Sequence, residues 1–401
     1  MNRRKRYRLA VVFCLFLDLM AILFLGYRYL DRKIPDELQV SRESSTDVSQ
    51  ILKNPLITLE EAVPVSGDGS YMLSCKLLGY LPFKQIKVTP VEEEILYVSG
   101  NTVGIYMETE GVLIVDTGEI QSENGQAQEP AKNIVKAGDY IVDFNGQKIS
   151  SKKDLIRNLE RLETEEVTLK LHRNGETIPV SMEAVKDTKG NYKLGIWVRD
   201  DTQGIGTLTY VDEKGNYGAL GHGISDVDTG ELLNIHNGTL YKAQVLAVTK
   251  GSKGSPGELA GMIRYDAGNI IGCIKENNKN GIYGKFYGSV AGNGNFRRMA
   301  AAHKQEVKEG NASVLCCVDG TVREYEARIK KIDLNHEDNN KSFVIQITDE
   351  ELLQKTGGVV QGMSGSPVLQ NGKIIGAVTH VFVQDATSGY GIFIENMLQC
   401  A

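Results

Sequence analysis

An apolar run from Leu9 to Gly26, entered through Arg3, Arg4, Lys5, Arg6 and Arg8, constrains this chain more than any other feature of its sequence. As a helix it spans about 27 Å, enough to cross the hydrocarbon core of a bilayer. Asp18 in its middle costs about 3 kcal/mol on insertion scales, but the Leu, Ile, Val and Phe side chains around it each return about 0.3–0.6 kcal/mol, so insertion wins. Asp18 is then either tolerated or faces a partner helix. The residues after Gly26, Tyr27-Arg28-Tyr29-Leu30-Asp31-Arg32-Lys33, lack the small-x-small pattern of a cleaved signal, so the segment reads as an uncleaved anchor. The basic cluster outweighs Arg28, Arg32 and Lys33, which predicts a cytoplasmic N-terminus, a single pass, and an extracytoplasmic remainder.

A chain of 401 residues exceeds what one core usually holds. Hydrophobic residues at 41% and 43 glycines describe a folded, turn-rich protein that is mainly β. A net charge of −6 supplies no basic face for phosphates, so nucleic acid is not expected as a partner. The six cysteines show no C-x-x-C pairing, which argues against a zinc ribbon or a disulfide scaffold. No metal and no cofactor enters the reading.

The chain divides into four segments. Residues 1–30 form the basic tip and transmembrane anchor, and 31–93 an extracytoplasmic tether with lead-in strands, its polar part running from Asp31 to about Val65. Residues 94–185 carry short strand-like runs and one amphipathic helix candidate, Lys152 to Leu162, which makes a small α+β domain. From 195 to 401 the chain is glycine-rich with short apolar runs between turns, as in two packed β-barrels.

In the α+β segment Val135-Lys136-Ala137-Gly138-Asp139-Tyr140-Ile141-Val142-Asp143-Phe144-Asn145-Gly146 resembles the A-G-D-x-I-x-x-x-N-G stretch of PDZ domains. Asn145-Gly146 is a hairpin signal because both residues accept positive φ. The resemblance implies a groove in which a peptide tail adds as a strand while loop N–H groups take its carboxylate. Val103, Gly104 and Ile105 match that loop.

The chemistry concentrates near the C-terminus, in Gly362-Met363-Ser364-Gly365-Ser366-Pro367. A nucleophilic serine needs a sharp loop in which its hydroxyl projects and neighbouring N–H groups converge on an oxyanion, and flanking glycines permit that. The hexapeptide resembles the nucleophile loop of trypsin-like serine peptidases, with the N–H groups of Gly362 and Ser364 as oxyanion hole. Pro367 to Gln370 and Lys373 to His380 flank Asn371-Gly372 and read as one hairpin.

Six histidines could supply the base. His222 stands out, between two glycines in Gly218-Ala219-Leu220-Gly221-His222-Gly223 and in the first half of the domain whose second half holds the serine. As a neutral base it predicts activity that declines below about pH 6.5. His380 is its rival by proximity to Ser364, and Thr379, His380 and Val381 read as substrate-pocket wall. Spacing alone leaves Asp212, Asp226 and Asp228 open as acids.

The blocks Gly204-Ile205-Gly206-Thr207, Gly218 to His222, Ile347-Thr348-Asp349, Thr356 to Pro367 and Gly376 to Val383 resemble the stage IV sporulation protein B peptidases. The likeness runs nearly the whole chain in the order anchor, PDZ domain, trypsin-like double β-barrel. It implies Asp349 as third member of a triad with Ser364 and His222, against a plain helix cap for Glu350 to Gln354. It further implies an enzyme of the forespore membrane, facing the intermembrane space, that cleaves itself. A regulatory protein in a membrane-bound intramembrane-protease complex is then cut as well, which activates processing of pro-sigma-K. The rival readings are an envelope quality-control PDZ protease, disfavoured because those carry PDZ after the protease, and a catalytically silent PDZ adaptor.

Overall fold

A computed structural model describes residues 3–41, 55–60, 63–65, 69–335 and 339–399. The serine-rich part of the expected tether, including Ser44, Ser45, Thr46 and Ser49, lies outside the described residues, as does His336. The first element is helix α1 (Arg3–Lys33), in which Tyr7–Lys33 is long and apolar enough to cross a membrane. Its apolar side chains are exposed along the run, Leu15, Ile22 and Phe24 among them.

The end of α1 is docked rather than tethered. Leu30 and Ile34 are buried, and the Asn335 amide donates to the carbonyls of Asp31 at 2.7 Å and Ile34 at 2.6 Å. Arg32 reaches Asp333 at 3.6 Å. The chain continues into a small sheet in which β1 (Glu37–Ser41) runs parallel to β3 (Leu81–Val91), and β2 (Tyr71–Leu77) pairs antiparallel with β3. Ile34, Leu38, Leu73, Ile86 and Val88 fill its core. The polar composition of 31–65 masked these few anchoring apolar residues.

Two long strands organise the middle of the chain. Strand β4 (Thr102–Thr117) precedes a compact unit of β5 (Tyr140–Phe144), α2 (Lys152–Glu160), β6 (Glu166–Arg173) and β7 (Glu176–Glu183), and β8 (Ile196–Val211) leaves it. Strands β4 and β8 pair from Thr117 opposite Ile196 to Thr102 opposite Thr207. Their residues near 112–117 and 196–199 pack into the small unit, with Val112, Ile114, Ile141, Phe144, Leu155 and Leu169 in its core. Asn145 and Gly146 take φ of 49° and 81° and turn β5 back on itself, as the sequence predicts. Ser151 caps α2, its hydroxyl accepting from the Asp154 N–H.

Below that unit the same two strands enter a barrel. With β9 (Asn216–Ala219), β10 (Ile235–Thr249), β11 (Glu258–Ile263), β12 (Ile270–Asn278) and β13 (Gly281–Phe286) in place, the pairings run β4-β10-β12-β13-β9-β8 and return to β4, while β11 extends β10. Val103, Met107, Leu208, Tyr217, Leu240 and Ile282 point inward.

A second closed barrel is built from β14 (Gly310–Cys317), β15 (Val322–Ile332), β16 (Phe343–Ile347), β17 (Pro367–Gln370), β18 (Lys373–Phe382) and β19 (Asp385–Phe393). Alternation fixes its register: Tyr325, Ala327 and Ile329 of β15 face inward while Glu324, Glu326 and Arg328 face solvent. Helix α3 (Glu350–Thr356) connects β16 to the loop before β17, and α4 (Ile394–Leu398) closes the chain. Asn371 and Gly372, at φ of 52° and 78°, turn β17 into β18. The molecule is thus mainly β, with one apolar helix and two barrels as expected, and its PDZ-like unit is inserted between strands β4 and β8 of the first barrel.

Candidate active site

A cleft of about 490 Å³ lies between the barrels. Ser364, His222, Thr379, His380 and Val381 all line it, so the structure brings together the expected nucleophile, base and pocket wall. Ile105, Ile205, Leu220, Val359 and Val360 give it apolar walls, with Thr202, Gln203 and Gln361 as further polar lining. The first barrel contributes His222 just beyond β9, and the second contributes Ser364 just before β17.

The loop around Ser364 is pinned from below. Gly365 has φ of 91°, and a Cβ there would lie 2.2 Å from the Thr207 carbonyl oxygen, so only glycine lets β8 approach. The N–H of Gly365 donates to the Val378 carbonyl at 2.8 Å, and that of Met363 to the Val360 carbonyl at 3.1 Å. By contrast, the N–H groups of Gly362 and Ser364 donate to none of the described residues. Both sit at the cleft. Backbone donors left unpaired beside a serine are what an incoming oxyanion requires. The Ser364 hydroxyl itself donates to the Thr379 carbonyl at 2.7 Å.

His222 leaves β9 through two successive left-handed residues, Leu220 and Gly221, both at φ of 69°. For a leucine that conformation costs about 1–3 kcal/mol. It is held because Leu220 is buried and its N–H donates to the Thr207 carbonyl at 3.3 Å. The imidazole Nδ1 lies 2.8 Å from the Gly223 carbonyl. A carbonyl only accepts, so this contact places the proton on Nδ1 and leaves the Nε2 lone pair for a proton from a serine. Burial holds the pKa below the ordinary histidine value of 6.5, with the Gly223 carbonyl opposing as the smaller influence. The ring of His380 lies against that of His222, centroids 4.8 Å apart.

No carboxylate completes this pair among the described residues. Asp349 is the N-cap of α3: its side chain accepts from the Leu352 N–H at 3.0 Å and from the Glu326 N–H at 3.2 Å. It does not line the cleft. In this structure Asp349 serves as a helix cap, as an Asp followed by Glu350 and Glu351 at the start of a helix can, by satisfying orphan N–H groups in its own chain. The spacing rivals are occupied as well. Asp226 is buried against Arg199 and accepts from two backbone N–H groups, Asp228 pairs with Arg199 at 2.7 Å, and Asp212 closes the turn to Asn216.

Val103, Gly104 and Ile105 are also corrected. They lie mid-strand in β4, with Gly104 opposite Ile205 on one side and Tyr241 on the other, so their backbone groups are used in two ladders and cannot form a carboxylate loop. Ile105 instead lines the Ser364 cleft. The PDZ-like unit has its own groove of about 470 Å³, between Leu155, Ile156 and Leu159 of α2 and Ile196, Trp197 and Val198 of β8. Thr207 and the Gly223 carbonyl went unread as parts of the site. Thr207 carried a signal, since it ends the Gly204-Ile205-Gly206-Thr207 block.

A serine and a neutral histidine facing one cleft between two six-stranded barrels, with two unpaired N–H groups beside the serine, define a serine peptidase. Residues 190–398 match the family described as SpoIVB peptidase S55, and residues 103–183 match the PDZ domain. The chain belongs to the SpoIVB peptidase S55 family. Among solved structures it is similar to the PDZ domain of an SdrC-like protein from Listeria innocua, 24% identical over 22% of this chain and 93% of that one, with a TM-score of 0.19. It is also similar to the Rv3671c protease of M. tuberculosis in its active form, 16% identical over 49% of this chain and 74% of that one, with a TM-score of 0.27. The inactive form of that protease is 13% identical over 49% and 81%, with a TM-score of 0.29.

Proposed function

We propose that the chain is a membrane-anchored endopeptidase that works through a Ser364–His222 pair. The observation that carries this reading is the one cleft that Ser364, His222 and the two residues with unpaired N–H groups line together. In the reaction the Ser364 hydroxyl leaves the Thr379 carbonyl and turns to His222. Its oxygen attacks the scissile carbonyl as its proton passes to Nε2, and the resulting oxyanion is held by the N–H groups of Gly362 and Ser364. The imidazolium then protonates the leaving amine, and water, activated by the same histidine, releases the acyl group from Ser364. The Gly223 carbonyl orients the ring, and Asp349, which the family resemblance makes the acid of a triad with these two, caps α3 ahead of the Ser364 loop. Thr379, His380 and Val381 form the wall against the residue before the cut.

The division into anchor (1–30), tether and lead-in strands (31–93), PDZ domain (94–185) and peptidase domain (195–401) belongs to the same proposal, with the first half of β4, inside the 94–185 span, shared with the peptidase barrel. So do the single-pass orientation with a cytoplasmic N-terminus and the groove between α2 and β8 as the seat of a peptide tail. Family membership supports placing this enzyme in sporulation, in the forespore membrane, cleaving itself and a regulatory protein of an intramembrane-protease complex so that pro-sigma-K is processed. The test is co-expression of the full chain with that membrane complex and mass spectrometry of new N-termini. New termini in both this chain and the regulatory protein, absent with Ser364→Ala, are expected. Termini that persist with Ser364→Ala, or none in the regulatory protein, would overturn the reading.

A further inference from the structure

Thr207 of β8 is buried, with 2% of its surface exposed, and each of its polar groups is directed at the catalytic elements. Its N–H donates to the Ser364 carbonyl at 3.0 Å, and its hydroxyl donates to the Gly362 carbonyl at 3.0 Å. The carbonyl of Thr207 accepts from the N–H of Leu220, two residues before His222. The two residues with unpaired N–H groups are therefore the two whose carbonyls this single side chain and its own N–H hold. One residue of the first barrel fastens the loop of the second barrel and the segment carrying the base.

We propose that Thr207 is a positioning residue that keeps the N–H groups of Gly362 and Ser364 convergent and in register with His222. The held carbonyls belong to the 362–363 and 364–365 peptide planes, each joined through a Cα to the plane that carries a donor N–H. Those donor planes are held at their own carbonyls, Gln361 by the Leu259 N–H at 2.9 Å and Met363 by the Ser366 N–H at 2.9 Å. Gly362, at φ of 96°, has wide backbone freedom, so the angle between its two planes depends on restraints on both sides, and the Thr207 hydroxyl supplies the one on the C-terminal side. Thr209 assists from the same strand, its hydroxyl donating to the Gly365 carbonyl at 2.8 Å. Valine has the shape of threonine without the donor, and serine keeps the donor without the methyl group, so the two substitutions separate positioning from packing.

This inference rests on the Ser364–His222 reading, and the experiment separates the two. The full-length chain in detergent is labelled with a fluorophosphonate probe, whose attack on Ser364 needs the base and the oxyanion donors but no knowledge of the natural substrate. The variants are Thr207→Val, Thr207→Ser, Ser364→Ala and the control Thr102→Val. That control removes another buried hydroxyl, which donates to the Cys317 carbonyl away from the cleft. For Thr207→Val the maximal labelling rate is expected to fall about tenfold or more with the probe's half-saturation unchanged, as for loss of an aligned oxyanion donor. Thr207→Ser is expected to restore labelling to within about threefold of wild type, because the donor is regained. Thr102→Val should lower the melting temperature while leaving labelling at the wild-type rate. Wild-type labelling of Thr207→Val, or a Thr207→Ser variant that folds yet labels as slowly as Thr207→Val, would overturn the proposal while a silent Ser364→Ala leaves the catalytic reading standing. Undiminished labelling of Ser364→Ala would overturn both.

Discussion

The Nδ1 of His222 meets the carbonyl of Gly223 at 2.8 Å, and that contact fixes which nitrogen of the base is free. In a serine peptidase with a triad, a carboxylate occupies this position and stabilises the imidazolium. A neutral carbonyl orients the ring as well but stabilises the charge less, so the surrounding desolvation dominates and His222 resists protonation.

The acid limb of kcat/KM should therefore have its midpoint below 6.5, lower than an unperturbed histidine would give. The same shift acts on stability. A folded pKa below the unfolded one means that the unfolded chain takes up this proton first, so the contribution of His222 to stability declines as pH falls from about 6.5 towards the folded pKa. A pH profile between 4.5 and 8 with a midpoint at or above 6.5 would contradict the half-buried, carbonyl-oriented base.

Replacing Asp349 distinguishes a cap from a triad acid. Asp349→Ala should destabilise the protein by about 1 kcal/mol and reduce activity through the loop between α3 and β17. Asp349→Ser and Asp349→Asn, both good caps, should recover most of the stability and most of the activity. A triad acid would behave otherwise, since an Asn in that role lowers kcat about 10⁴-fold. Thermal melts and peptidase rates on the three variants decide between them.

The groove between α2 and β8 makes a separable contribution. Ile156 lines it and is 53% exposed, so Ile156→Glu should leave the fold intact. Fluorophosphonate labelling of Ser364 should be unchanged in this variant, whereas cleavage of protein substrates that dock a tail in the groove should slow. Calorimetric titration with tail peptides, beside labelling rates, checks both parts.

How much of the molecule is legible in its sequence depends on how local each signal is. The apolar run, the Asn145-Gly146 and Asn371-Gly372 turns and the glycine-flanked Ser364 are encoded by adjacent residues, and each is found where the sequence places it. His222 was legible because a histidine between glycines at a strand end has few structural uses. Asp349 is not assigned by sequence pattern alone, because a carboxylate before a helix looks the same whether it serves a cap or a base. The segment Val103 to Ile105 misled because a glycine within apolar residues suits a loop as well as the middle of a strand shared by two units. Thr207 was legible only as the end of the Gly204 to Thr207 block and not by its contacts, since its three bonds join residues far apart in the chain.

The central claim is that Ser364 is a nucleophile activated by His222 in the native, anchored chain. Peptide mapping by mass spectrometry after fluorophosphonate treatment of the full-length protein tests it most directly. A single adduct on the peptide carrying Ser364, lost when His222 is replaced by alanine, is the predicted result. An adduct on another residue, or undiminished labelling of Ser364 in His222→Ala, would contradict it.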